Sequence, residues 1–245
     1  MVRIKDFITY MRSKYLNHCA YLWGASGQIV GKTTPDEILK LESTSDKPKI
    51  NARRVLAFVG KMAEYGYNLD IAQFFDCSGY VIDGLTHFGL FYGDTTADGL
   101  FNLGTSIKPS NAKAGDLVFK KLGTKMVHVG IYAGNGLCYE CKGRDDGVVM
   151  SNLSDWGYAA HYTWFDELKL SRKLKVVSDP MTGADVVNVQ KALCSHGFPC
   201  QISGTFTTNT KDAVTRFQKA AKLNVVSYGV VAKKTAEALG IKWTK

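Results

Sequence analysis

Asp76-Cys77-Ser78-Gly79-Tyr80-Val81 sets a short acidic residue before a cysteine and starts a helical apolar pattern directly after it. Val81, Ile82, Leu85 and Phe88 recur at the three-and-four spacing of a buried helix face. Asp76 then serves as N-cap, and Cys77 falls in the first turn. A thiol there meets the positive end of the helix dipole and unpaired backbone N–H groups. Together these can lower a cysteine pKa from about 8.5 to roughly 3.5–7.5. A buried, inert cysteine is the competing reading, because free cysteine is among the most buried residue types. The rest of the chain has to decide between them.

With 245 residues there is room for one good-sized domain and a small one. A hydrophobic content of 45% and a charged content of 22% describe an ordinary globular protein. The N-terminus, MVRIKDFITYMRSKYL, has no apolar core of signal-peptide length, and its Ile4, Phe7, Ile8, Met11 and Tyr15 are spaced as an amphipathic helix. No run of about 18 apolar residues occurs, so no membrane span is expected. The expectation is a protein made in a cytoplasm without a signal peptide. Six cysteines (Cys19, Cys77, Cys138, Cys141, Cys194 and Cys200) then read as reduced thiols. Cys138 and Cys141 form a CxxC, but a structural zinc site wants a second pair at similar spacing, and Cys194 and Cys200 are too far apart for that. No metal or cofactor is expected. Whether Cys194 and Cys200 join in an oxidising medium stays open.

The formal charge of +9 is uneven: from residue 180 onward, nine Lys/Arg stand against three Asp/Glu. A basic C-terminal module suits an anionic partner, either nucleic acid or a polyanionic cell wall. A solvated lysine-rich surface would have the same composition.

In chain order, the first helix leads to Tyr21-Leu22-Trp23-Gly24-Ala25, aromatic and then small. Thr34-Pro35-Asp36-Glu37 has the form of a capping box and opens a helix through Leu41. Lys47-Pro48-Lys49 reads as a loop and Asn51 as the cap of a helix with Val55, Phe58, Val59 and Met62 on its apolar face. This region shows no chemistry and reads as helical decoration. The Cys77 helix ends near Gly89, and Gly93 to Gly99 and the surroundings of Pro109 read as loop and turn. Strands follow at Leu117-Val118-Phe119, Met126 to Ala133, Leu137 to Lys142 and Val148 to Met150, separated by turns. In the second, Val127, Val129 and Ile131 point one way and His128, Gly130 and Tyr132 the other. Hairpins make an antiparallel sheet, and helices followed by such a sheet give an α+β class. Ser171 to Pro180 is polar and basic, as a linker is. Helical patterns then cover Ala184 to Cys194, Thr208 to Ala221 and Lys233 to Leu239. Phe206, Thr210, Ala213 and Val214 are echoed 25 residues later by Val231, Thr235, Ala238 and Leu239, a weak internal repeat.

Glu140 lies twelve residues after His128, across the Gly134-Asn135-Gly136 turn. A three-residue turn centred on Gly134 makes the two direct partners on one face, where the carboxylate would orient the imidazole as base for a cysteine. A two-residue Asn135-Gly136 turn would instead set Gly143 opposite His128 and separate them. His18, His87, His161 and His196 read as ordinary polar histidines.

Taken together, DCSGYV (76–81), AGDLVF (114–119) and HVGIYAGNG (128–136), with the acidic residue twelve positions after the histidine, resemble the NlpC family of cell-wall cysteine peptidases. Asp94 to Leu100 and the run Glu140-Cys141-Lys142-Gly143-Arg144 look especially like its phage endolysins. The resemblance covers most of residues 1–170. It implies a papain-like fold with Cys77 as nucleophile, His128 as base and Glu140 as third, orienting residue. It also implies that Tyr21 lies in the substrate cleft and that Asp76 and Ser78 bind the peptide stem. Asp185 to Leu193, Gly204-Thr205-Phe206 and Ala213 to Gln218 resemble the small three-helix peptidoglycan-binding domain, although Thr207 and Ala232 stand where its glycine is usual.

The expected organisation is a catalytic domain at 1–170, a linker at 171–180 and a small three-helix domain at 181–245. The expected function is that of an endolysin, a peptidoglycan hydrolase released to act at the wall and most consistent with cleavage between D-γ-glutamate and the diamino acid. The alternatives are N-acetylmuramoyl-L-alanine amidase chemistry on the same site, or a non-catalytic wall-binding protein. Peptidoglycan and anionic wall polymers are the expected partners, without nucleic acid, for a monomer.

Overall fold

The computed structural model describes residues 2–91, 93–165 and 168–244. Helix α1 (Ile4–Leu16) buries Phe7 and Met11, as its spacing requires. After β1 (Ala20–Tyr21) and β2 (Ser26–Ile29), the capping box opens α2 (Pro35–Glu42): the Thr34 hydroxyl accepts from the Glu37 N–H and the Glu37 carboxylate from the Thr34 N–H. Helix α3 (Pro48–Glu64) starts earlier than the sequence suggests. Pro48 takes the first helical position, where a missing N–H costs nothing, so Lys47-Pro48-Lys49 is the helix start. Asn51 is therefore no cap; its buried amide donates to Ser45 Oγ and Asp46 Oδ1 at 3.0 and 3.1 Å. Strand β3 (Gln73–Phe75) then feeds α4 (Cys77–His87). Helix α5 (Ala97–Leu103), capped by Thr96, begins inside the stretch 93–99 read as loop and is too short for a periodicity to show.

The main sheet is antiparallel, built from β4 (Thr105–Ile107), β5 (Leu117–Leu122), β6 (Lys125–Gly134), β7 (Leu137–Gly143), β8 (Gly147–Asn152) and β9 (Tyr158–His161), in the order β4-β9-β5-β6-β7-β8. One face carries Leu117, Phe119, Val129, Ile131 and Cys141 and packs on Phe7, Met11, Tyr80, Val81 and Leu85 of α1 and α4. Tyr80 is wholly buried and its hydroxyl donates to the Met11 carbonyl at 3.0 Å; burying a side chain of this size stabilises the fold by roughly 1.5–3 kcal/mol. The other face carries Val118, Cys138, Trp156 and Ala159. Cys138 and Cys141 thus sit on opposite faces, as an odd offset in a strand demands. Val127 departs from the expected alternation: the β5–β6 register shifts beside it, Met126 is buried and Val127 is 50% exposed.

A smaller sheet, β1-β3-β2, contains a parallel pair that hairpin reasoning does not supply: Ala20 and Tyr21 lie beside Phe74 and Phe75. That pairing carries Tyr21 to the residue preceding Asp76. Leu22, Val30, Ile38, Val55, Met62 and Phe74 form the core beneath α2 and α3. The order of helices and antiparallel sheet gives the α+β class.

Residues 2–165 form one compact unit and those beyond 165 another. In the second, β10 (Lys169–Leu170) pairs in parallel with β11 (Lys242–Trp243), around α6 (Ala184–Ser195), α7 (Thr208–Ala220) and α8 (Lys233–Ala238). Within the stretch 171–180, Leu174 is wholly buried and exchanges both backbone hydrogen bonds with Val231. The sequence repeat has a physical basis. Gln190 accepts from the Gly204 N–H at 2.9 Å and donates to Thr205 O and Thr210 Oγ1 at 2.9 and 3.0 Å. Gln218 does the same with the Gly229 N–H, Val230 O and Thr235 Oγ1 at 2.7, 2.8 and 2.8 Å. Two buried glutamines thus each staple a loop to the helix that follows it.

Candidate active site

Asp76 holds the start of α4 in place. Its Oδ1 accepts from the Gly79 N–H at 2.7 Å and from Ser78 Oγ at 3.0 Å, and its Oδ2 from the Gly24 N–H at 3.1 Å. The Asp76 N–H donates to the Ala25 carbonyl at 2.9 Å. A side chain at Gly79 would collide with that carbonyl, so only glycine lets the helix approach the 22–25 loop this closely. Burial pushes the Asp76 carboxyl above its ordinary pKa, against the pull of these three hydrogen bonds.

Cys77 is half-buried, and the backbone N–H groups of Val129, Ser78 and Cys77 itself lie near enough to its sulfur to favour the thiolate. Burial, with the Asp76 charge added to it, pushes the thiol up to about 12, while those N–H groups pull it down. The lowered pKa expected from the helix position is therefore overturned. The dipole and the N–H groups act in the expected direction, but removing the thiolate from water outweighs them. A neutral thiol can serve as a nucleophile only with a base beside it.

His128 and Glu140 meet with Nε2 and Oε2 2.6 Å apart. Neither register weighed from the sequence is the one found. The tight Asn135-Gly136 turn does form, with both residues at positive φ (54° and 77°) and Gly134 opposite Leu137. A register shift between Tyr132 and Gly134 then absorbs one residue and sets Gly130 opposite Glu140. His128, two residues from Gly130, shares its face and reaches Glu140 diagonally. Glu140 is buried, which pushes its pKa up. The hydrogen bond from His128, the nearby Ser151 hydroxyl and the charges of His128 and Lys120 outweigh that and hold it below the ordinary value. Lys120 Nζ lies 3.9 Å from Glu140 Oε2 and 4.6 Å from the Trp156 ring centre. The Trp156 indole stacks on His128 with centroids 5.5 Å apart. A Cβ at Gly130 would lie 2.8 Å from that indole, so the glycine makes room for the tryptophan.

Tyr21 is buried, and burial raises its phenol pKa, with Cys77 and Asp76 adding to the rise. The Arg144 guanidinium lies over its ring at 5.2 Å. Tyr21, Asp76, Ser78 and Cys77 thus gather around the start of α4, and the N–H of Val129, next to His128, is near enough to the cysteine sulfur to favour its thiolate. Sequence reasoning missed Lys120, Trp156 and Glu42, and gave Arg144, quoted in the 140–144 run, no role at the site. Alternation along β5 could have placed Lys120 on the His128 face, but nothing local marks Trp156 or Glu42. Elsewhere, His161 Nδ1 pairs with Asp116 Oδ1 at 2.7 Å, His87 stacks on Tyr10 and His18 on Tyr67.

Residues 62–166 match the model of the NlpC/P60 family, and residues 182–239 match one described as "Putative peptidoglycan binding domain". The chain is similar to the "Probable endopeptidase p60" of Listeria monocytogenes, 38% identical over 101 residues, which are 40% of this chain and 20% of that protein. The protein of the same description from Listeria grayi is 35% identical over 91 residues, covering 37% of this chain and 17% of the other. The chain thus spans about a fifth of the length of these relatives. Among solved structures, the NlpC/p60 domain of the peptidoglycan hydrolase SagA is 26% identical with a TM-score of 0.33, over 44% of this chain and 98% of that one. The P60 domain of an antigen from M. avium subspecies paratuberculosis is 21% identical with a TM-score of 0.38, over 65% and 97%. Cys77, His128 and Glu140 all fall inside the matched segment, and this chain therefore carries an NlpC/P60 family domain followed by a C-terminal peptidoglycan-binding domain.

Proposed function

We propose that this chain is a peptidoglycan hydrolase in which Cys77 attacks a carbonyl of the wall's stem peptide, His128 takes the thiol proton and Glu140 holds the imidazole. One observation carries the reading: the 2.6 Å bond between His128 and Glu140, on a strand whose next N–H, that of Val129, is near enough to Cys77 to favour its thiolate. With Nε2 turned to Glu140, Nδ1 is the nitrogen left for the thiol. Because burial keeps that thiol neutral, proton removal accompanies attack instead of preceding it. Glu140, held charged, stabilises the imidazolium that results. The oxyanion is met by backbone N–H groups at the start of α4, including that of Cys77. His128 then protonates the leaving amine, and water releases the acyl group from sulfur. Tyr21, Asp76 and Ser78 bind the stem.

The bond we assign joins D-glutamate through its γ-carboxyl to the diamino acid, and the protein acts at the wall as an endolysin, with the basic C-terminal domain holding peptidoglycan and its anionic polymers. Mass spectrometry of digested sacculi, with new amines labelled, tests this. The expected product carries its new amine on the diamino acid, and Cys77→Ala yields none. A new amine on L-alanine would make the enzyme an amidase. Intact sacculi after wild-type treatment would leave a wall-binding protein.

A further inference from the structure

Helices α2 and α3, read from the sequence as decoration, are latched to the turn between β7 and β8. Glu42 pairs with Arg144, Arg54 with Asp145, and Phe58 packs over Gly147. The Glu42 carboxylate is wholly buried. Its Oε1 accepts from Arg144 Nε at 2.8 Å and from the Trp23 N–H at 3.2 Å, and its Oε2 from Arg144 Nη2 at 2.7 Å. Trp23 is held a second time, through its indole N–H to Thr44 Oγ1 at 3.1 Å. The next backbone N–H, that of Gly24, is the one that reaches Asp76. On its other side Arg144 covers the Tyr21 ring at 5.2 Å, and Tyr21 lies close enough to Cys77 and Asp76 to feel their charge.

A buried ion pair is a poor way to stabilise a fold, because apolar residues of similar volume generally serve as well or better. Nor is Arg144 well suited to hold a substrate anion, since Glu42 already matches its charge in a two-bond fork. What the pair does is fix two neighbours of the thiol together. We propose that Glu42–Arg144 is a positioning pair that sets the Tyr21 ring and the Trp23-Gly24 backbone against the Cys77 helix, and thereby governs how tightly the stem peptide is held. This rests on the hydrolase reading. Residue 42 lies outside the matched segment 62–166, so part of the site comes from a region that the family model does not cover.

The test uses the full chain and soluble muropeptides, with kcat, KM and Tm measured for each variant. Arg144→Ala strands a buried carboxylate and is expected to lower Tm sharply, so the decisive protein is the double variant Glu42→Gln/Arg144→Met, which leaves no unpaired charge. It should keep a Tm near that of wild type while KM rises about ten- to a hundredfold, a loss of roughly 1.4–2.8 kcal/mol of uniform substrate binding. Its kcat should stay within about threefold, since the thiol, His128 and Glu140 are untouched. In a Tyr21→Ala background the same double change should raise KM several-fold less than it does in wild type, because part of its effect passes through the ring and the rest through the Trp23-Gly24 backbone. A stable double variant with wild-type KM, or one whose loss is confined to kcat, overturns the proposal. Wild-type protein inert on both muropeptides and sacculi overturns the hydrolase reading beneath it.

Discussion

Two histidine–carboxylate pairs stand on one sheet, and beside one of them the Val129 N–H lies close to the Cys77 thiol. His128 and Glu140 meet at 2.6 Å, and His161 and Asp116 at 2.7 Å. Both carboxylates are buried and both rings are partly exposed. Distance and burial therefore do not separate them. Their surroundings do. Asp116 also accepts from the Lys113 N–H at 2.7 Å and so closes the turn that leads into β5, and His161 borders a cavity of about 250 Å³ with Tyr162, Thr105 and Leu103. Glu140 is flanked by Lys120 and Ser151, Trp156 covers His128, and the following N–H is near enough to the cysteine at a helix start to favour its thiolate. A pair becomes a candidate site only when another element delivers a nucleophile to it.

The largest effect that would sharpen this contrast is at His128. His128→Ala should lower sacculus hydrolysis by about 10⁴-fold or more, the scale seen when a nucleophile loses its base. Turbidity loss measures it, and near-wild-type clearing would remove His128 from the chemistry. Glu140→Gln keeps the shape but loses the charge that holds the imidazole, and about 10²–10⁴-fold should go from kcat. If Glu140→Gln cost no more than a change at Asp116, the two pairs would be equivalent and the contrast would fail.

Thiol reactivity probes the same contrast from the cysteine side. A thiol held up at about 12 is protonated throughout the neutral range, and its thiolate fraction grows with pH without levelling off below that value. Alkylation of Cys77 by iodoacetamide should therefore rise about tenfold per pH unit from 7 to 10, as thiolate-limited reactions do. A plateau reached by pH 8 would mean a preformed thiolate–imidazolium pair, and the proton would then move before attack.

How much of this was legible beforehand follows from what each signal measures. Alternation fixes which face a strand residue takes, so His128 and Glu140 could be placed together; it does not count the residue taken up between Tyr132 and Gly134, so the register could not be read. The Asp76 cap and the helix after it are local and were readable. The pKa of Cys77 is set by tertiary burial, which no local pattern carries. The Lys47–Asn51 start failed because Pro48 looks like a breaker when it is a helix opener. Glu42 and Arg144 lie 102 positions apart, and their pairing needs the folded helices and sheet. In the C-terminal unit the echo of Thr210 in Thr235 was visible because the same glutamine staple recurs, although each loop that it closes differs in length.

The smallest expected effect falls at Asp116. Asp116→Asn leaves an amide where a buried carboxylate holds the His161 ring and the Lys113 N–H, so it weakens two hydrogen bonds of the fold and none at the thiol. The loss of such bonds costs about 1–3 kcal/mol, which should appear as a Tm lower by several degrees, while kcat per folded molecule stays within about twofold of wild type. Thermal melts paired with active-site titration of Cys77 separate the two quantities. A fall in kcat comparable to that of Glu140→Gln, with Tm unchanged, would place His161 in the chemistry after all. The difference between the two pairs would then lie in something other than the nearness of a thiol.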